Sequence, residues 1–160
     1  MNPEHIHLLV NHIPIHGLIF AIIATIIGLI WKSKQVIITG AVLTLLSSLS
    51  IPVVMGSGEA AYERYQKEPN IVQHMDMGGM HWAKKHYENA EKGAKATYLL
   101  ILLSACVLAA AKFKPTWLFR LAWVMVFVAL ASVSLNAWIA SSGGKIRRPD
   151  FHTTSSVEHE

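Results

Sequence analysis

Only 15% of the 160 residues are charged and 52% are hydrophobic, whereas a soluble domain carries about 25% charge, so the chain reads as one domain dissolved in lipid. The formal charge is +4, but no arginine–lysine stripe interleaves with aromatics, which argues against nucleic-acid binding. The single cysteine, Cys106, excludes an internal disulfide and a covalently attached c-type haem, which needs a Cys-x-x-Cys-His run.

The chain opens with Asn2, Pro3 and Glu4, an N-cap, a first-turn proline and a first-turn acid, so the first helix starts near Pro3. This opening is no signal peptide: an acid and histidines stand where a basic region belongs, and no small-residue cleavage site follows. Four stretches reach the ~20 apolar residues of a membrane-spanning helix: about 12–31, 36–55, 92–111 and 117–141. Pro14 should bend the first of them and free a carbonyl. Gly17, Ala21, Ala24 and Gly28 form a small-residue stripe along it that permits close helix approach. An extramembrane segment at about 57–91 separates the second and third spans. Pro115 opens the fourth span, Gly143 and Gly144 close it in the manner of C-terminal glycines, and a polar tail runs over 143–160.

The expected fold is an all-α integral membrane four-helix bundle, up-down-up-down. Its short loops, Lys32-Ser33-Lys34 and Lys112-Phe113-Lys114, are basic and free of acids, which places them in the cytoplasm and both termini outside, in a bacterium the periplasm. Lys145, Arg147 and Arg148 run against that rule.

All nine histidines, His5, His7, His12, His16, His74, His81, His86, His152 and His159, then fall on the outer side. With a helix rise of ~1.5 Å per residue, positions equally far from the inner loops share a depth. His7 stands roughly 25 positions from Lys32, His12 roughly 20, Glu59 roughly 25 from Lys34, and His86 roughly 26 from Lys112. Histidines, a carboxylate and a glycine–arginine turn thus meet in one layer. His5, His12 and His16 share one face of the first helix and His7 points elsewhere.

Two metal chemistries suit this layer. A helix bundle holds haem b with one histidine from each of two helices; His12 or His7 would pair with His86. Arg147 and Arg148 would meet the propionates as charge-assisted donors. The segment containing His74, Met75, Met77, Met80 and His81 offers thioethers and imidazoles suited to Cu(I). A di-iron site would need Glu-x-x-His pairs on two helices, which are missing.

The opening His7-Leu8-Leu9-Val10-Asn11-His12-Ile13-Pro14-Ile15, together with Gly58-Glu59-Ala60, His86-Tyr87-Glu88 and the exit Gly143-Gly144-Lys145-Ile146-Arg147, resembles a family of small four-span bacterial membrane proteins, long described as a domain of unknown function. Its opening reads His-Phe-Pro-Ile where this chain has Ile13, and its exit often ends in histidine where this chain has Arg148. Some relatives are fused to cytochrome or other redox domains, which implies membrane electron transfer with bound haem b.

The expectation is a b-type cytochrome-like subunit of the bacterial inner membrane, passing electrons between a membrane donor such as quinol and a periplasmic acceptor. His12 and His86 are the first choice of axial ligands, with His7 and His81 as substitutes. Glu59 would either orient a ligand histidine by accepting its second ring proton or handle protons near the haem. A copper-handling protein using residues 74–81, or a cofactor-free structural subunit of a respiratory complex, is the alternative. Lipid is a partner in each case, and cytochrome or other respiratory-complex subunits are the candidate neighbours.

Overall fold

The computed structural model describes residues 2–67 and 77–147, with 77, 78 and 147 by backbone alone. Every element among them is helical. The first span is α1 (Pro3–Val10) and α2 (Ile13–Ile30), the second α3 (Lys34–Leu49) and α4 (Ile51–Lys67), the third α5 (Met77–Phe113) and the fourth α6 (Pro115–Gly144), followed by a 3-10 turn, Lys145–Arg147. The chain is a multi-pass membrane protein, with four helices long and apolar enough to cross a bilayer. In the most apolar window of each span only 33–39% of residues are buried within the protein. The remainder, including Phe20, Leu46, Leu102 and Phe127, turn apolar side chains outward, where water would penalise them and lipid does not.

Two antiparallel hairpins, α2–α3 and α5–α6, make the bundle, and they meet through α3 against α5 and α2 against α6. The inner core joins Leu18, Ile22, Ile37, Leu100, Val107, Leu118, Met125 and Val126. Close approach is set by small residues: a Cβ on Gly28 would stand 2.7 Å from the backbone nitrogen of Ile37, and one on Gly40 2.9 Å from that of Thr25. Buried hydroxyls bond within their own helices, as Thr25 does to the Ala21 carbonyl (2.7 Å) and Ser104 to that of Leu100 (2.7 Å), so neither stands unpaired at membrane depth.

The structure departs from the sequence expectations at two places. Asn2 does precede the first helix, but its side chain makes no capping bond; its backbone carbonyl receives the His5 and Ile6 N–H groups instead. Gly143 and Gly144 do not stop the last span in a left-handed turn. No glycine among the described residues has positive φ, and the helix runs through both into the 3-10 turn.

Two breaks divide the bundle into an inner and an outer part. The first span breaks at Asn11–His12, ahead of Pro14, whose missing N–H cannot continue the helix. The second breaks at Ser50, ahead of Pro52. Beyond these breaks α1 and α4 leave the tight bundle packed on each other. Glu4 and Arg64 tie them with an ion pair of 3.2 Å.

Candidate functional site: a paired-histidine cavity

A cavity of about 420 Å³ opens among the outer ends of all four spans. That is within the ~300–1,000 Å³ range of small-molecule and cofactor sites. Its walls are mostly apolar, with a few polar groups from each helix: Glu4, His7 and Asn11 from the first span, Glu59 and Tyr62 from the second, His86 and Tyr87 from the third, Asn136 from the fourth.

His7 and His86 face each other there. Their ring centroids are 6.3 Å apart and their planes cross at 77°. Each ring is held by the other helix of its own hairpin. His7 Nδ1 lies 3.1 Å from the Val54 carbonyl oxygen and 3.4 Å from Ser57 Oγ. His86 Nδ1 lies 3.0 Å from the Ile139 carbonyl and 3.2 Å from Ser142 Oγ. A carbonyl oxygen only accepts, so Nδ1 is the protonated nitrogen in both rings. Nε2 keeps its lone pair, the form in which imidazole binds a metal. Both hydroxyls donate to the same carbonyls, Ser57 to Val54 and Ser142 to Ile139, and so accept from the ring.

A glycine lies under each ring. A Cβ on Gly58 would come within 2.9 Å of His7 Cε1, and one on Gly143 within 3.0 Å of His86 Cε1. This is the physical reason for Gly143: it makes room for an imidazole and does not end a helix.

The other residues expected at the site are spread around its rim or beyond it. His12 lines the cavity but is exposed, and its ring lies edge-on to His16 at 5.9 Å. The structure brings His7, not His12, up to His86. His81 is exposed, with its ring against Trp82. Glu59 is exposed at the cavity, and the orienting role expected of it, receiving the second ring proton, is filled by the Val54 and Ile139 carbonyls. Met80 is half-buried. His74, Met75, Arg148, His152 and the side chains of Met77 and Arg147 lie outside the described residues, and with them most of the expected copper segment and the propionate partners.

Sequence reasoning missed Ser57, Ser142, and the stacked pair Tyr62 and Tyr87, whose rings are 5.0 Å apart and 13° from parallel. The serines carried a legible signal, because Val54-x-x-Ser57-Gly58 returns as Ile139-x-x-Ser142-Gly143. The stack carried none, since two tyrosines on different helices meet only through the fold.

Among the described residues no three or more His, Cys, Asp or Glu side chains come together as a metal cluster. The arrangement is a pair of imidazoles, 6.3 Å apart between ring centroids, in a largely apolar cavity. Compared with known proteins, the chain matches no family model, no curated protein and no solved structure.

Proposed function

We propose that this protein is a membrane-bound b-type cytochrome-like electron-transfer protein, with His7 and His86 as the axial ligands of one haem. The observation that carries this reading is the spacing and tautomer of the two rings. A metal–nitrogen bond is about 2 Å and an imidazole nitrogen lies about 1.1 Å from its ring centre, so two imidazoles whose Nε2 atoms both pointed at one iron would have centroids about 6.2 Å apart. The separation in this protein is 6.3 Å. A bare ion would want further protein ligands, which the described residues do not supply; a porphyrin brings four nitrogens of its own and needs two from the protein. Asn11, on the cavity wall, has a buried Oδ1 with no hydrogen-bond partner among the described residues, leaving polar capacity for an occupant.

Bound haem supplies one-electron redox chemistry at a fixed place in the membrane. The chain's residues hold it there. The Val54 and Ile139 carbonyls fix both tautomers and make each imidazole a better electron donor. Apolar walls such as Ile15, Ile51 and Ala94 exclude water. A membrane donor such as quinol and a periplasmic acceptor complete the reading. The resemblance of the opening and exit motifs to a bacterial family with redox-fused members supports it.

In the bacterial inner membrane, the location this reading proposes, the positive-inside rule supports an orientation with Lys32, Lys34, Lys112 and Lys114 cytoplasmic and the histidine end periplasmic. In a Cys106→Ser background, a cysteine at position 66 should react with an impermeant maleimide in intact cells and one at position 34 only after permeabilisation; the reverse pattern inverts the orientation.

The test of the haem reading is the optical spectrum of detergent-purified protein expressed with ample haem. The expected result is a Soret band that sharpens on dithionite reduction with split visible bands, lost in His7→Ala and in His86→Ala but kept in His12→Ala. A colourless wild-type protein overturns the reading and favours a structural subunit. Loss in His12→Ala with retention in His7→Ala overturns the ligand assignment.

A further inference from the structure

The two halves of the site are built alike, position by position. His7 and His86 are 79 residues apart, as are Thr25 and Ser104, two fully buried hydroxyls that each bond to the carbonyl four residues earlier at 2.7 Å. In the partner helices the offset is 85: Ser47 with Ser132, Val54 with Ile139, Ser57 with Ser142, Gly58 with Gly143. Ser47 and Ser132 are both buried. Each hairpin turns through a basic tripeptide, Lys32-Ser33-Lys34 or Lys112-Phe113-Lys114. A shared offset along whole helices means that equivalent residues occupy equivalent depths and faces, which chance placement of four small residues would not produce.

We infer that the cavity is a duplicated half-site, one copy per hairpin, each consisting of an imidazole, a carbonyl and serine hydroxyl that hold its Nδ1, and a glycine on which it rests, and that the occupant is a ligand gripped alike on two opposite faces. The haem reading supplies the identity of that ligand; the duplication stands on the geometry. Ser57, Gly58, Ser142 and Gly143 are positioning residues. They touch the imidazoles and set where Nε2 points.

Each ring is fixed in two ways. Two acceptors on one N–H set the tilt of the ring, and the glycine sets its distance from the supporting helix. A methyl group at Gly58 or Gly143 would enter the space of Cε1, and the ring would have to swing away, taking Nε2 with it. The hydrogen bonds to the carbonyl would be broken or bent in the same movement. Gly56 provides the control, because a Cβ there would meet nothing within 4 Å and the residue does not line the cavity.

The experiment compares the full chain with Gly58→Ala, Gly143→Ala and Gly56→Ala, each expressed with ample haem and purified in detergent. Haem per protein is read from absorbance, spin state from electron paramagnetic resonance, and folding from circular dichroism and gel filtration. Gly58→Ala and Gly143→Ala should each weaken haem retention at least about tenfold, the usual consequence of disturbing the groups behind a ligand, and by similar factors. Residual haem in either should show high-spin, five-coordinate iron. Gly56→Ala should match the wild type. If either glycine variant is misfolded, Ser57→Ala and Ser142→Ala carry the test, each expected to speed transfer of haem to an external scavenger by a similar factor.

Wild-type haem content and spectra in Gly58→Ala and Gly143→Ala, with loss in His7→Ala, overturn the seats while leaving the haem reading intact. An effect confined to one hairpin overturns the duplication. A wild-type chain that takes up no haem removes the ligand named for the half-sites together with the reading it came from.

Discussion

The inner and outer halves of this bundle are made from the same apolar spans, yet they solve opposite problems. Inward of the breaks at Asn11–His12 and Ser50, glycines let backbones touch: Gly28 abuts Ile37 and Gly40 abuts Thr25. Outward of them, glycines again remove a Cβ, but the space goes to imidazole rings, Gly58 to His7 and Gly143 to His86. In lipid there is little hydrophobic drive to close a gap between helices, so packing contacts decide where they meet. A cavity can therefore persist at one end because the bundle is held at the other. The prolines at 14 and 52 sit near the divide.

On the proposed haem reading, the largest effect comes from removing a ligand histidine. His7→Ala or His86→Ala should cost essentially all bound haem, while unfolding of the haem-free protein in a denaturing detergent titration shifts by less than about 1 kcal/mol, as for a change away from the packed core. A large loss of stability in the haem-free variants would show that the rings belong to the packing. The next effect runs the other way. Gly28→Ala pushes a methyl group against the Ile37 backbone, which no rotamer change can relieve. It should destabilise the bundle by about 1–3 kcal/mol, the usual range for overpacking, with the spectrum of the haem that remains bound unchanged. A shifted haem spectrum in Gly28→Ala would couple the two ends and end the distinction between them.

The division was only partly legible in the sequence. Run length alone locates the spans, because nothing but lipid explains uncharged helices such as 17–31 with most of their surface apolar. Depth counted from the inner loops puts His7 and His86 level, at roughly 25 and 26 positions, and His12 deeper. The resemblance of the opening, whose His-Phe-Pro-Ile run falls on His12-Ile13-Pro14-Ile15, nevertheless puts His12 first. Which histidine faces inward depends on how α1 lies on α4, a tertiary fact that periodicity cannot carry. Gly143 shows the same limit: glycine at a helix end usually marks a left-handed stop, and only the approach of His86 from another helix explains it. The repeat of Ser57-Gly58 in Ser142-Gly143 is visible in the sequence, but two residues in common are a weak signal until both are seen under an imidazole.

The smallest effect tests the boundary itself. Thr97 and Ser132 are fully buried, their hydroxyls 2.9 Å apart between α5 and α6, and the Asn136 side-chain amide donates to both at 3.3 Å. Asn136 also reaches the cavity wall, so this polar triad joins the packed half to the open one. Interhelical hydrogen bonds in membranes contribute about 0.6 kcal/mol on average and ~1.7 at most. Thr97→Val keeps the shape and removes one hydroxyl, so the loss in a detergent unfolding titration should be about that average. Ser132 and Asn136 would still satisfy each other, which limits the cost of the unpaired group. The haem spectrum and midpoint potential should stay unchanged if the triad only staples α5 to α6. A displaced potential would make it part of the ligand's surroundings and move the boundary between the two halves one helical turn inward.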